Sequence, residues 1–279
     1  MLTRKVSKLF MYILLIVIAA VFLFPIVFMI VSSLKVDESQ ILSDMSGIKG
    51  FIPYGKLGLK NYFDVFKNMA FGKFYFNSVL ITTITVMLGL VVNSMLAFAL
   101  ARYEFKGSKY IIIGVLALMI IPIEAVVIPM LLMVNKWGVM DTYIVQILPY
   151  IADPLYIFLF YQFFRELPTS LEEAAVIDGS SYFRIYWQIG LPLSKPVFVS
   201  VGILCSIARW GEFLWPLMTT RGEEHRPLTV AIQQLFTINP KNWGDIFAFA
   251  TMITIPLLII FVIFQKYFVD SIASSGIKG

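Results

Sequence analysis

From Leu9 to Leu34 the chain carries no charged residue. That uncharged apolar run restricts the possible folds more than any other feature. A bilayer core about 30 Å thick is crossed by a helix of roughly 20 apolar residues. A second uncharged run spans Phe74 to Ala101, and further apolar runs lie at about 110–133, 142–164, 194–218 and 246–268. Composition agrees: 59% of the 279 residues are hydrophobic and 14% charged, with a mean hydropathy of +0.85. Soluble domains carry about a quarter charged residues, and a chain of this length could not hide so much apolar surface from water. The expected fold is therefore all-α and integral to the membrane, a single transmembrane domain of six helices at about 9–34, 74–101, 110–133, 142–164, 194–218 and 246–268.

Arg4, Lys5 and Lys8 precede the first run, as they would in a signal peptide. The run is too long for a signal core and no small-x-small cleavage site follows it, so it reads as a retained helix. The single cysteine, Cys205, lies within an apolar stretch, and no disulfide framework is expected. The net charge of +5 is spread along loops, which fits anionic lipid headgroups and argues against nucleic acid. Short basic flanks at 4–8 and 102–109 favour an N-terminus inside the cell. Six helices then return the C-terminus to the same side, in a multi-pass protein of a bacterial or archaeal cytoplasmic membrane. Loops 35–73 and 219–245 fall outside, the first with room for a short helix near Asn61–Asn68.

Between the fourth and fifth runs the chain reads Leu167-Pro168-Thr169-Ser170-Leu171-Glu172-Glu173-Ala174-Ala175-Val176-Ile177-Asp178-Gly179-Ser180. Ser170-x-x-Glu173, and equally Thr169-x-x-Glu172, has the form of a capping box that starts a helix. Asp178-Gly179 suits a tight turn, and a second helix over about 181–190 would stop at Leu191-Pro192. Small Ala174 and Ala175 leave room for close approach by another surface, with Leu171 and Ile177 as apolar anchors. The same features fit an amphipathic loop helix lying on the bilayer.

Glu173-Ala174-Ala175-x3-Gly179-x9-Ile189-x-Leu191-Pro192 resembles the EAA motif of ATP-binding cassette (ABC) importer permeases at every spaced position. The similarity covers most of the chain, and it looks like the smaller permease of the binding-protein-dependent carbohydrate importers of the maltose-transport type. Asn77-Ser78, Ala101-Arg102-Tyr103, Ile121-Pro122 with Ile128-Pro129, Trp210 to Leu217 and the terminal Gly276-Ile277-Lys278-Gly279 fit that pattern. The chain departs from it in two places: Gly211 stands where Asn is usual, and in the C-terminal tail Ser271 and Ser275 stand where Gly is usual.

The resemblance implies a type I importer fold and an EAA segment, 169–192, that sits in a groove of a separate ATPase. Glu172, Glu173, Ala174, Ala175, Asp178, Gly179, Leu191 and Pro192 are then the coupling residues. It also implies a heterodimer with a second homologous permease, two copies of a cytoplasmic ATP-binding subunit, an extracytoplasmic solute-binding protein and a sugar substrate. ATP and magnesium would be bound by the ATPase, with no cofactor in this chain. The sequence agrees, because a phosphate-cradling loop needs Gly-x4-Gly-Lys before Ser or Thr. Gly55-Lys56 and Gly72-Lys73 are followed by Leu and Phe. No catalytic residues are expected.

Ionisable residues inside membrane runs are candidates for a transport pathway. Glu124 lies between Pro122 and Pro129 in a run expected to be broken. Arg209 and Glu212 are spaced to pair with each other, and Trp210 and Trp215 flank Glu212 as residues able to stack on a sugar ring or to belong to an interfacial belt. These make Glu124, Trp210, Glu212 and Trp215 the pathway candidates. Asp153 before Pro154 suits a helix cap, and Asn93 suits a hydrogen bond to a neighbouring helix. His225, the only histidine, has no partners at metal-ligand spacing. The same importer class carries glycerol-3-phosphate and sugar alcohols. An ion-coupled secondary carrier would need inverted repeats and more charge in the membrane, and would leave the EAA spacing unexplained. A membrane-embedded enzyme would need a nucleophile and base in the bilayer.

Overall fold

The computed structural model describes residues 2–276, with side chains described over 7–265. Ile277 to Gly279, and the side chains of Ser271 and Ser275, lie outside the described residues. Among the described residues the regular elements are helices, and the one β-type pairing is an isolated bridge between Lys35 and Leu57. In chain order they are α1 (Leu2–Ser33), α2 (Glu38–Asp44), α3 (Lys60–Asn68), α4 (Phe71–Arg102), α5 (Ser108–Leu118), α6 (Ile123–Lys136), α7 (Tyr143–Ile147), α8 (Pro154–Glu166), α9 (Ser170–Ile177), α10 (Tyr182–Ile185), α11 (Leu191–Leu193), α12 (Lys195–Trp210), α13 (Leu214–Thr219), α14 (Leu228–Ala231), α15 (Gln233–Thr237) and α16 (Trp243–Gly276).

Among the described residues three helices are long and apolar enough to cross a membrane unbroken, over Ser7–Ser33, Phe71–Arg102 and Trp243–Gln265. Three further pairs of helices are long and apolar enough only when taken together, each pair a broken span or a re-entrant turn: Ser108–Leu118 with Ile123–Lys136 at 102°, Tyr143–Tyr150 with Pro154–Glu166 at 40°, and Tyr182–Leu193 with Lys195–Trp210 at 80°. The six runs read from the sequence therefore differ in kind, because apolar periodicity marks a span but not a break within it. The run at 110–133 is two helices meeting at a sharp angle. Pro122 lacks an N–H donor and sits in an extended conformation, which ends the helix before it. At the 40° bend, Asp153 is extended and its carboxylate accepts from Leu155 N at 2.9 Å, with Pro154 in the first helical position. The run at 194–218 is helical only to Trp210; Gly211 to Phe213 leave the helix before α13.

Contacts divide the chain into two units. One comprises residues 1–72 with 231–256. In it Lys35, fully buried, donates to Asp44 Oδ2 at 2.7 Å and to the Lys49 carbonyl at 2.9 Å, and lies 4.8 Å over the Tyr54 ring. The Tyr54 hydroxyl donates to the other Asp44 oxygen at 2.6 Å. The Asn61 amide donates to the Ser33 and Lys35 carbonyls at 2.9 and 2.8 Å. Glu38 accepts from Trp243 N and Gly244 N at 2.8 and 3.2 Å, so a carboxylate early in the chain satisfies free amides at the start of α16. A Cβ on Gly244 would meet the Asn61 amide group at 2.6 Å, which explains the absence of a side chain there.

The other unit comprises residues 73–230 with 257–279. Its core is aromatic: Phe98 meets Phe164 and Tyr186 edge to face at 5.1 and 5.4 Å, and Phe160 meets Phe198 at 4.7 Å. Asn93 does what its mid-helix polarity suggests. Its amide donates to the Gly89 carbonyl at 2.6 Å and across to the Ile151 carbonyl at 3.1 Å, while its oxygen accepts from Asp153 N at 2.8 Å. The freed backbone beside the Asp153-Pro154 break is satisfied by that one side chain.

Candidate functional site: the α9–α11 segment and its anchorage

Helix α9 opens at Thr169, but not through a capping box. Thr169 has helical angles (φ −69°, ψ −27°), and its side chain makes no cap hydrogen bond. Glu172 turns away from the helix start to Arg102: Arg102 Nε donates to Glu172 Oε1 at 2.6 Å, with the two side chains 4% and 16% exposed. The same guanidinium donates through Nη1 to the Phe164 and Leu167 carbonyls at 3.1 and 3.0 Å. The last residue of α4 thus holds the end of α8 and the start of α9.

The end of α9 is set by Gly179. Ser180 N donates to the Ala175 carbonyl at 2.9 Å and Gly179 N to that of Val176 at 3.0 Å, the paired bonds of a Schellman motif. Gly179 has φ +75°, a left-handed conformation that costs a residue with a Cβ about 1 kcal/mol or more. A Cβ there would meet nothing within 4 Å, so the space beyond the turn is open.

Around its axis α9 has two faces. Glu172 and Ala175, three residues apart, turn inward, Ala175 packing against the aromatic core. Leu171, Glu173, Ala174, Val176, Ile177 and Asp178 are exposed, Ile177 to 85%. Beyond the turn, Ser181 caps α10, accepting from Arg184 N at 3.4 Å. Helical structure then continues through a π-type turn at Tyr186–Gly190 into α11, so it passes Leu191-Pro192 and ends at Leu193 instead of stopping at that pair. Pro192 stands among the first positions of α11. Leu191 packs against the core, and Pro192 is exposed.

This second helical piece is anchored to α4. The Tyr186 and Ser94 hydroxyls lie 2.8 Å apart, and a Cβ on Gly190 would sit 2.8 Å from the Phe98 ring. The Tyr103 hydroxyl donates to the Tyr182 carbonyl at 3.2 Å, and the two rings lie 4.3 Å apart. Burial first, then the nearby Glu172 carboxylate, push the Tyr103 hydroxyl up to about 12, which keeps it a neutral donor. Tyr182, Phe183 and Trp187 remain exposed, as do Leu171, Val176 and Ile177 on α9.

The pathway candidates fall elsewhere in the same unit. Glu124 is exposed in the first turn of α6, just past the 102° break. Arg209 and Glu212 do meet, Nη1 to Oε2 at 3.6 Å, with the Arg209 guanidinium 3.7 Å over the Tyr150 ring. Trp210 is buried and edge-on to Tyr75 at 5.9 Å. Trp215 is 2% exposed and its indole N–H donates to the Val145 carbonyl at 2.7 Å, a packing role within this chain. Glu212 and Arg209 line a small cleft with Tyr150, Gln146, Ser78 and Thr82. Sequence reasoning did not single out Gln146, which is buried and donates to the His225 carbonyl at 2.7 Å. It also left Asn77 and Ser78 without a physical role. Asn77 donates to the Glu224 and Arg226 carbonyls, both at 2.9 Å, and Ser78 accepts from Leu228 N at 2.8 Å, so the pair pins the 224–228 loop to α4. Among the described residues no group of three or more His, Cys, Asp or Glu side chains could hold a metal ion.

A six-span helical membrane protein with an EAA-type helix–turn–helix between its fourth and fifth spans is the architecture of a type I importer permease. The sequence pattern of the family described as "Binding-protein-dependent transport system inner membrane component" matches residues 89–274, and the chain belongs to that family. It is 33% identical over 263 residues to the arabinooligosaccharides transport system permease protein AraQ of Bacillus subtilis, covering 94% of this chain and 92% of that one. It is also 33% identical over 269 residues to the trehalose/maltose transport system permease protein MalG of Thermococcus litoralis, covering 95% and 94%. Its fold matches a chain in the crystal structure of a bacterial ABC transporter involved in the import of the acidic polysaccharide alginate, with a TM-score of 0.84, 24% identity, and coverage of 95% of this chain and 98% of that one. The chain is therefore a non-catalytic membrane subunit, and membership of the family brings with it a partner permease, an ATPase and a binding protein.

Proposed function

We propose that this chain forms half of the translocation pathway of a carbohydrate importer and receives the ATPase on the outward face of α9 and α10. The observation that carries the reading is the exposed surface of Glu173, Ala174, Ile177 and Asp178 with Tyr182, Phe183 and Trp187, beside a Gly179 turn with open space in front of it. An apolar patch on a segment outside the spans calls for a partner. Small Ala174 lets that partner approach the helix, and Glu173 and Asp178 offer charges to it. ATP and magnesium are held by the ATPase, present in two copies beneath a heterodimer of this chain with a second permease. The α9 side of the membrane is the cytoplasm, which puts both termini there and turns loops 35–73 and 219–245 toward the solute-binding protein.

Relatives named for arabinooligosaccharides and for trehalose and maltose favour a sugar or oligosaccharide as cargo over glycerol-3-phosphate or a sugar alcohol. Reconstitution with the partner permease, ATPase and binding protein tests the reading. Uptake is expected to require ATP and to survive an ionophore. Uptake driven by a proton or sodium gradient without ATP would overturn it in favour of an ion-coupled carrier.

A further inference from the structure

Glu172 and Glu173 are neighbours in the motif, but about 100° apart around α9 they meet different surroundings. Glu173 is exposed. Glu172 is held 2.6 Å from Arg102 Nε, on a guanidinium that also grips the Phe164 carbonyl in the last turn of α8 and the Leu167 carbonyl before α9. Arg102 is the final residue of α4, whose preceding turns carry Ser94 and Phe98, the partners of Tyr186 and Gly190. A planar guanidinium fixes the direction of each of its bonds, and a charge-assisted pair shielded from water resists separation.

We infer that Glu172 is a positioning residue, a strut that carries motion of α9 through Arg102 into α4 and α8, and is not part of the surface offered to the ATPase. This rests on the reading of α9 as the ATPase-docking helix and goes beyond it, because it divides the motif into a face that receives force and a face that transmits it. Ala175, one turn on, supports the inner face by packing on the core. Tyr103 adds a second tie, to the Tyr182 carbonyl beyond the turn.

The test uses the full transporter in liposomes, reading ATPase retained on purification and solute imported per ATP hydrolysed. Glu172→Ala is expected to retain the ATPase and its hydrolysis while import per ATP falls about fivefold or more, the low end of coupling between distinct sites. Arg102→Lys, which keeps the charge but loses the fork to Phe164 and Leu167, is expected to uncouple in the same way. Glu172→Gln, which keeps the accepting oxygen without the charge, should fall in between and covers the case in which the alanine variant does not fold. Loss of the ATPase from the Glu172→Ala or Glu172→Gln complex would make Glu172 a docking contact and overturn the inference, as would import per ATP equal to wild type. Failure of the underlying reading looks different: Glu173→Ala and Gly179→Asp would then both leave ATPase retention and uptake unchanged.

Discussion

Lys35 Nζ and Asp44 Oδ2 lie 2.7 Å apart with their side chains 0% and 3% exposed. The bond from Lys35, and then the one from the Tyr54 hydroxyl, hold the Asp44 carboxyl below its usual 3.8. A carboxylate with a lowered value stabilises the folded state above its unfolded value and loses that contribution as pH falls through the folded one. Protection factors of the amides in 35–58 are therefore expected to be flat from neutral pH down to about 4, near the unfolded aspartate value, and to fall only below it. Asp44→Asn, which leaves the buried ammonium without its charge partner, should lower that protection above about pH 4 and approach the parent at lower pH. The double variant Lys35→Met/Asp44→Leu should be less exposed than either single change, since removing both charges avoids an unpaired one.

Gly179→Ala and Gly179→Asp separate backbone strain from obstruction. Both place a Cβ at φ +75° and should cost about 1 kcal/mol in thermal stability. Because nothing of this chain lies within 4 Å of that Cβ, neither is expected to block insertion. Uptake should survive largely in Gly179→Ala and disappear in Gly179→Asp. Equal uptake in the two variants would count against a partner surface at the turn.

Gly190 tests the packing of the segment on α4. Gly190→Ala drives a methyl to 2.8 Å from the Phe98 ring and should destabilise by about 1–3 kcal/mol. Phe98→Leu in the same chain should recover part of that loss, as read by thermal unfolding in detergent. Additive losses would mean that the two side chains do not compete for one space.

Asn93→Leu removes the amide that serves Gly89 and Ile151 and the oxygen that serves Asp153 N. With buried main-chain groups left unpaired, a loss of about 1–3 kcal/mol is expected. Protease sensitivity at the Asp153-Pro154 break should rise with it. A variant as stable and as resistant as the parent would show that water replaces the side chain.

How much of this was legible in the sequence depended on the range of the interaction concerned. The spans, the helix near Asn61–Asn68, the Asp153 cap and the Gly179 turn follow from local composition and chemistry, and the structure has each of them. The bends do not, since a proline inside an apolar run is compatible with either a kink or a reversal; the 102° angle after Leu118 is a tertiary outcome. Ser170-x-x-Glu173 and Thr169-x-x-Glu172 satisfy a capping pattern, yet the helical angles of Thr169 and the pull of Arg102 on Glu172 defeat it. Arg102 itself reads from sequence as part of a basic flank and of the Ala101-Arg102-Tyr103 pattern, with no sign of its partners, because they lie 62 to 70 residues away. Trp215 offered an aromatic near a helix end, and only its bond to the Val145 carbonyl gives it a packing role.

The bond from Glu38 to the amides of Trp243 and Gly244 has a bearing on the order in which the protein is made. A ribosome that has released residues 1–72 has produced only part of a unit whose remainder is encoded at 231–256. The intervening stretch, emerging next, holds nearly all of its own aromatic core and can assemble while translation proceeds. Until the last span emerges, the Glu38 carboxylate lacks its amides and Phe28 lacks Phe247. α1 therefore completes its packing only after α16 has emerged, and a chain truncated before residue 243 would leave the translocon with that unit unfinished.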